Sequence, residues 1–378
     1  MTLSCSPESY SAVVATSDRQ VREHAQPTAT GDKSKMRPFR LVLVSHRSSH
    51  HARPSGYGRL ADFIDAEVIP EREVSFPPWR LQRAFARRCG GSYSTMSFSK
   101  ELALLGRMIE PRRGIAHFLN TEPDFHYTGR WSRMLRWRTV GTFHKPPSQF
   151  ASVFPRPSVL RRLDGAICLA SNQIGAVKDL LNHDRVWFAP HGVDTDFFRP
   201  SEKSLRAQEP IFLFVGSHLR DFGTLLRIAE LLEEQRERAR IVAIGPARHE
   251  AEIPKHARIT QFGDVSDEIL RAWYQRADVL LMPLHDASAN GAILEGISCG
   301  LPVISTDVGG VRDYLTPDCA AFTAVGDADS MTAAALEIVA DGALRTKMGN
   351  AARERSLRYS WPTVAARVKE IYSMILGS

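Results

Sequence analysis

The chain has 378 residues, too many for one comfortable core, and points to two domains. Its 43% hydrophobic and 24% charged residues are those of an ordinary globular protein. The longest apolar runs, Leu41 to Val44 and Ile211 to Val215, exclude a membrane span, which needs about 20 residues.

Residues 1 to 35 lack the apolar stretch of a secretory signal and, rich in Ser, Thr and Gln, read as a disordered tail. Phe39 to Ser45 is the first strand, and the loop after it carries His46, Arg47, His50, His51 and Arg53 before Gly56 and Gly58. Those basic residues either bind anions or belong to an exposed linker. The pair of glycines is not a dinucleotide fingerprint, because Ala61 stands where the third glycine is required. A helix over Arg59 to Ile64 follows.

Between Phe76 and Gly165 stand 16 Lys and Arg against 5 Asp and Glu, an excess larger than the whole chain's net charge of +7. Arg80, Arg83, Arg87 and Arg88 alternate with Trp79 and Phe85, and Arg130, Arg133, Arg136 and Arg138 with Trp131 and Trp137. Such a surface suits anionic lipid or a phosphorylated acceptor, or it is a solvated helix face over core tryptophans. Nucleic acid is not expected. The five cysteines, Cys5, Cys89, Cys168, Cys299 and Cys319, show no paired spacing and read as reduced cytoplasmic thiols.

Strands are expected at Ala66 to Ile69 and Ile115 to Leu119, with basic helices between. The strand Arg138 to Phe143 ends in His144-Lys145, at the edge where parallel sheets bind ligands. His144 is therefore a candidate ligand contact, or else a structural cap of its strand. Gly165 to Ala170, a helix capped by Ser171 and running to Leu181, and Val186 to Ala189 complete the first half. The phrase Pro190 to Pro200 and the polar stretch Ser201 to Glu209 set a domain boundary near residue 200.

The second half opens with Ile211 to Val215, the loop Gly216 to Phe222 and a helix Gly223 to Arg238. Strands at Arg240 to Ile244 and Ile259 to Phe262 follow, then Gly263-Asp264-Val265 and a helix Glu268 to Arg276. Val279 to Met282 is too short for a helix and right for a strand buried on both faces. The polar loop His285 to Gly291 leads into a helix stopped by Gly300 and Pro302, and Val303 to Ser305 is the next strand. Helices are expected at Ser330 to Ala340, Ala343 to Leu357 and Thr363 to Leu376.

The unpaired N–H groups at Gly291, Ala292 and Ile293 would favour an anion such as a phosphate. Glu295, one turn further in, either accepts from a pair of neighbouring hydroxyls, as in a ribose, or simply stabilises the helix start.

Glu295, Cys299, Gly300, Pro302, Val303, Thr306, Asp307, Gly309 and Gly310 match a known signature. The segment resembles the donor-binding region of retaining GT-B glycosyltransferases of family 4, the glycosyl transferases group 1. The resemblance covers roughly residues 140 to 375 well and the first third weakly. It implies an α/β fold of two Rossmann-like parallel-sheet domains facing a cleft. The acceptor domain would be 36–200 and the donor domain 201–360, with a last helix, 361–378, crossing back to the first.

By that resemblance Glu295 binds the ribose, His144 lies beside the donor phosphate and sugar, and Gly56 and Gly58 face the donor. The backbone at Val265 meets the base. The chain departs from the pattern in two places. Ala287 stands where a first glutamate reaches the transferred sugar, leaving Asp286 and Asn290 as the nearest replacements. Ser217 and Asp221 hold the slots of an Arg and a Lys that neutralise the diphosphate, leaving Arg220 and His218, unless Arg220 pairs with Asp221.

The expected catalytic residues are thus His144, Arg220, Asn290 and Glu295. Gly216, His218, Arg220, Asp286, Asn290 and the helix start Gly291 to Ile293 would hold the donor. Arg47 and Lys145 would meet the acceptor. The expected reaction moves a hexosyl unit from a UDP- or GDP-linked sugar to a glycan, lipid-linked or small-molecule hydroxyl. No metal or other cofactor is expected, and the location expected is cytoplasmic, either free or peripheral at the inner membrane face. An epimerase or phosphorylase on the same fold, and a binding subunit without turnover, stay open as alternatives.

Overall fold

The computed structural model describes residues 39–45, 56–69, 79–89, 91–110, 113–202, 208–245 and 251–377. The loop bearing His46, Arg47, His50, His51 and Arg53 lies outside them. Among the described residues, twelve strands form two six-stranded sheets, all parallel. The first holds β1 (Arg40–Val44), β2 (Glu67–Ile69), β3 (Gly114–Phe118), β4 (Trp137–Phe143), β5 (Gly165–Cys168) and β6 (Val186–Phe188) in the order β2-β1-β3-β4-β5-β6. The second holds β7 (Ile211–Val215), β8 (Arg240–Ile244), β9 (Ile259–Phe262), β10 (Val279–Met282), β11 (Val303–Thr306) and β12 (Ala320–Thr323) in the order β12-β11-β10-β7-β8-β9.

Runs such as IFLFV in β7 and VLLM in β10 are apolar at every position because helices cover both faces of each sheet. In the second lobe one face packs Leu213, Leu280, Ile293 and Leu294 together, the other Phe212, Leu225, Leu281 and Met331. The strand orders fix where ligands can sit. Chain direction across the sheet reverses between β1 and β3 in the first lobe and between β7 and β10 in the second, and crevices open at such points.

Helix Trp361–Leu376 packs into the first lobe. Trp361, Val364, Val368, Ile371 and Ile375 share one apolar cluster with Leu43, Ile115, Val140 and Ile167. His117, fully buried on β3, bonds Tyr372 Oη of this helix at 2.6 Å and Thr142 Oγ1 at 2.7 Å. Where the chain passes between lobes, Val193 pairs with Ser360 and its N–H donates to the Tyr359 carbonyl at 2.9 Å. A side chain at Gly192 would overlap the Trp361 ring, so the linker needs a glycine there.

Three local expectations change. The helix at Arg59 to Ile64 is a 3₁₀ helix over Tyr57–Asp62. Ser171 does not cap the next helix; that helix is Gln173–Leu181, and the Gln173 side chain takes the Ala170 N–H instead. The strand β12 has no counterpart in the sequence reading.

Candidate active site

Both loops at the second sheet's reversal point are laced together. The loop after β7 bonds to the loop after β10 through Asp221 N–H to Pro283 O at 2.9 Å and His285 N–H to Leu219 O at 3.0 Å. Arg220 folds back beneath them. Its Nε and Nη2 donate to the Val215 carbonyl at 2.9 and 2.8 Å, its Nη1 to His218 O at 3.1 Å, and Nη2 also to Asn290 Oδ1 at 3.4 Å. Gly216 has φ +89, and a Cβ there would meet Arg220 Nη2 at 2.9 Å, so glycine is doubly required. Burial pulls the guanidinium down from its ordinary value to about 10, which leaves it charged at neutral pH.

Asp221 is not the partner of Arg220. It caps helix Phe222–Glu234, accepting from Thr224 N at 2.9 Å and Thr224 Oγ1 at 2.7 Å. That structural task occupies the slot in which the family pattern has a lysine.

Helix Gly291–Ser298 starts at Asn290, whose Oδ1 accepts from Ile293 N at 3.4 Å. Both neighbours of Oδ1, the Ile293 amide and Arg220, are donors, so the Nδ2 end of Asn290 points the other way. Gly291 and Ala292 are the first two residues of the helix, with N–H groups that no intrahelical carbonyl can satisfy. Glu295 is buried at 6% exposure, and its Oε2 accepts the Tyr274 hydroxyl at 2.9 Å. A Cβ on Gly291 would lie 3.9 Å from Glu295 Oε1, so this carboxylate stands beside the helix start. Burial, and then the negative charge of Glu295, push the Tyr274 hydroxyl well above its usual range.

The loop Asp286 to Ser288 forms the seam with the first lobe. Asp286 accepts from Ser148 of the first lobe and from the Ala287 N–H at 2.7 Å. Ser288 Oγ donates to the His144 carbonyl. The Ala287 carbonyl accepts from Gly310 N at 2.9 Å, and Gly309, at φ +54, would overlap that carbonyl with any side chain.

The opposite wall is His144-Lys145, at the end of β4. His144 Nε2 lies 2.7 Å from the Leu119 carbonyl, and since a carbonyl only accepts, Nε2 carries the proton. Its ring meets Tyr57 edge-on at 5.0 Å between centroids. Lys145 Nζ lies 3.3 Å from His218 Nε2 across the cleft, the ammonium donating to the ring. The main chain here is held on both sides. Glu122 Oε1 accepts from His144 N at 2.5 Å and Lys145 N at 2.8 Å, while Gln173 Nε2 donates to Phe143 O at 3.1 Å and Lys145 O at 2.8 Å.

The structure therefore brings His144, Lys145, Gly216, His218, Arg220, Asp286, Asn290, Gly291, Ala292, Ile293 and Glu295 to facing edges of the two lobes. Val265 follows β9 and packs against the same apolar cluster as Ile293 and Leu294. Gly56 and Gly58 have no positive φ, and a Cβ on Gly58 would make only ordinary contact with Ser45 Oγ at 3.5 Å. Between them the buried Tyr57 makes the contact with His144. Tyr57, Glu122, Gln173, Tyr274 and Ser288 were not singled out in the sequence. Tyr274 alone left a signal there, as a tyrosine on a helix flanking the loop.

A cavity of about 520 Å³ lies elsewhere, lined by Pro200, Ala277, Leu301 and Arg353 at the amino ends of β10 and β11. Tyr274, which bonds Glu295, is among its lining residues. Among the described residues no group of three or more His, Cys, Asp or Glu could hold a metal ion.

Residues 209–341 match the family model Glycosyl transferases group 1. Over these residues the second lobe is similar to the glycosyl transferases group 1 family. The group 1 match is accompanied by relatives such as the D-inositol 3-phosphate glycosyltransferase of Xylanimonas cellulosilytica, 29% identical over 217 residues, covering 50% of this chain and 51% of that protein. The sulfoquinovosyl transferase SQD2 of Arabidopsis thaliana is 24% identical over 266 residues, 65% of this chain and 49% of that one. The chain thus spans about half the length of the curated relatives it matches.

Over both lobes, the sucrose-phosphate synthase of Thermosynechococcus elongatus superposes with a TM-score of 0.66 at 18% identity, covering 90% of this chain and 100% of that one. Anabaena Alr3699/HepE in complex with UDP and glucose superposes with a TM-score of 0.63 at 12% identity, covering 89% and 100%. These likenesses establish the two-lobed α/β architecture as GT-B.

Proposed function

We propose that the chain is a retaining glycosyltransferase that transfers a hexosyl unit from a UDP- or GDP-linked sugar to a hydroxyl of a glycan, lipid-linked or small-molecule acceptor. One observation carries this reading: Arg220, the start of helix Gly291–Ser298 and Glu295 converge where the second sheet reverses, opposite His144 and Lys145. That UDP-glucose is held by the GT-B neighbour from Anabaena supports a nucleotide sugar as donor.

The leaving diphosphate gains negative charge as the glycosidic bond breaks. Arg220 and the unpaired amides at Gly291 and Ala292 stabilise it from the second lobe, and Lys145 from the first. Glu295, steadied by Tyr274, accepts the ribose hydroxyls. With Asp286 engaged by Ser148, the contact to the transferred sugar falls to the Nδ2 end of Asn290 and to His144. Helix dipole and cationic side chains meet the charge requirement of this reaction, so the reading needs no resident metal or cofactor.

We assign the protein to the cytoplasm. The exposed Arg80, Arg83, Arg87 and Arg88 of helix Trp79–Cys89, with exposed Arg130, Arg133 and Arg136, suit an anionic membrane surface. Among the described residues no helix is long and apolar enough to cross a membrane.

The test is a screen of UDP- and GDP-linked hexoses by thermal shift, followed by release of nucleotide and NMR of the product anomer. Donor-dependent release with retained configuration is expected. A second reading, nucleotide-sugar binding without turnover, is favoured by Ser217, Asp221 and Ala287 at positions that usually carry function. A shift without any nucleotide release would select it.

A further inference from the structure

We infer that Glu122 is the positioning residue of the His144-Lys145 wall, a reading that rests on the proposed glycosyltransferase. Glu122 sits in the short helix Thr121–Asp124 directly after β3, the strand at the first lobe's reversal point. One oxygen, Oε1, takes both main-chain N–H groups of the wall, His144 at 2.5 Å and Lys145 at 2.8 Å. The same turn supplies Leu119 O, which fixes the His144 ring at 2.7 Å. Backbone and imidazole of one residue are thus set by a single turn on the neighbouring strand.

The second oxygen, Oε2, is buried without a hydrogen-bond partner among the described residues. Glu122 borders a cavity of about 30 Å³ that Cys89, Tyr93, His126 and Arg156 also line. A carboxyl kept 7% exposed with half its acceptor capacity unused is costly as a purely structural device. Burial raises its affinity for a proton, while the two amides and the Lys145 charge oppose that rise.

The second lobe meets this wall through Ser288, which donates to the His144 carbonyl, and through His218, which receives the Lys145 ammonium. The site loops after β7 and after β10 therefore both take their register from residues that Glu122 holds. A shift of the wall would misplace the reacting groups while the nucleotide end, gripped by the second lobe, stayed put. The signature is a loss in kcat without a matching loss in nucleotide affinity.

The experiment compares the full chain with Glu122→Ala and Glu122→Gln. The amide of Gln keeps one carbonyl oxygen for both N–H groups; Ala keeps none. For Glu122→Ala, UDP or GDP affinity by calorimetry stays within about twofold while kcat for donor hydrolysis falls about 100-fold. Glu122→Gln returns to within about tenfold of the parent. Unchanged kcat in Glu122→Ala overturns the assignment, as does a nucleotide affinity falling in step with kcat or a failure of Gln to rescue. Should the parent chain bind nucleotide yet turn over no donor, the glycosyltransferase reading fails instead. Amide hydrogen exchange at residues 143–146 then decides: faster exchange in Ala but not in Gln supports Glu122, and equal exchange in all three overturns it.

Discussion

Tyr274 donates its hydroxyl to Glu295 at 2.9 Å, and both side chains are buried. A carboxylate held this way keeps one oxygen oriented beside the start of helix Gly291–Ser298, where a diol would approach. Removing the hydroxyl leaves the charge buried with one donor fewer.

Tyr274→Phe is accordingly expected to weaken UDP or GDP binding about tenfold, a loss of ~1–2 kcal/mol, with the fold retained. Glu295→Ala should weaken it further. Calorimetry of both variants checks the order; a Tyr274→Phe chain that binds like the parent would detach Glu295 from the nucleotide.

Arg220 spans the Val215 and His218 carbonyls and Asn290 with one planar group. Arg220→Ala removes the half-buried cation that the proposed reaction sets against the leaving group, and kcat should fall by about 10²–10³. Arg220→Lys should recover little of it, because an ammonium cannot reproduce that fork. Steady-state kinetics with the screened donor, beside urea unfolding to verify the fold, measures both.

His117 gives a pH dependence with a definite sign. Burial first, then the nearby His144 charge, drops its pKa from 6.5 to about 3, so the unfolded chain holds more protons between those values. Its contribution to stability is complete above about pH 6.5 and is lost as pH falls toward 3. His117→Gln should be less stable at pH 7, yet its stability should decline less steeply between pH 6 and 4, by up to ~1.4 kcal/mol per pH unit. Denaturant titrations at pH 7, 6, 5 and 4 would reveal it.

Gly192→Ala forces a methyl group against the Trp361 ring and should destabilise the protein by ~1–3 kcal/mol. Trp361→Ala opens a cavity in the first lobe and should cost ~3–5 kcal/mol. Urea unfolding quantifies each, and stability unaffected by Gly192→Ala would mean the linker can slide away from the ring.

The sheets were legible because parallel strands covered on both faces leave unbroken apolar runs, as at Ile211–Val215 and Val279–Met282. β12 escaped because AAFT is short, Ala-rich and only half-buried at the sheet edge. The start of helix Gly291–Ser298 could be read from Asn290 and the glycine after it. The partner of Arg220 could not: Asp221 beside it looked equally able, and only folding shows it spent on Thr224. Glu122 left no trace at all. It acts on amides 22 and 23 positions downstream, and a main-chain N–H has no letter in the sequence.

The return of helix Trp361–Leu376 to the first lobe has a consequence for biosynthesis. Leu43, Ile115, Val140 and Ile167 leave the ribosome long before the residues that cover them are made. The half of the protein synthesised earlier is thus the half finished later, and it must wait with an oily flank uncovered. A premature stop that spared the whole second sheet would still cripple the first.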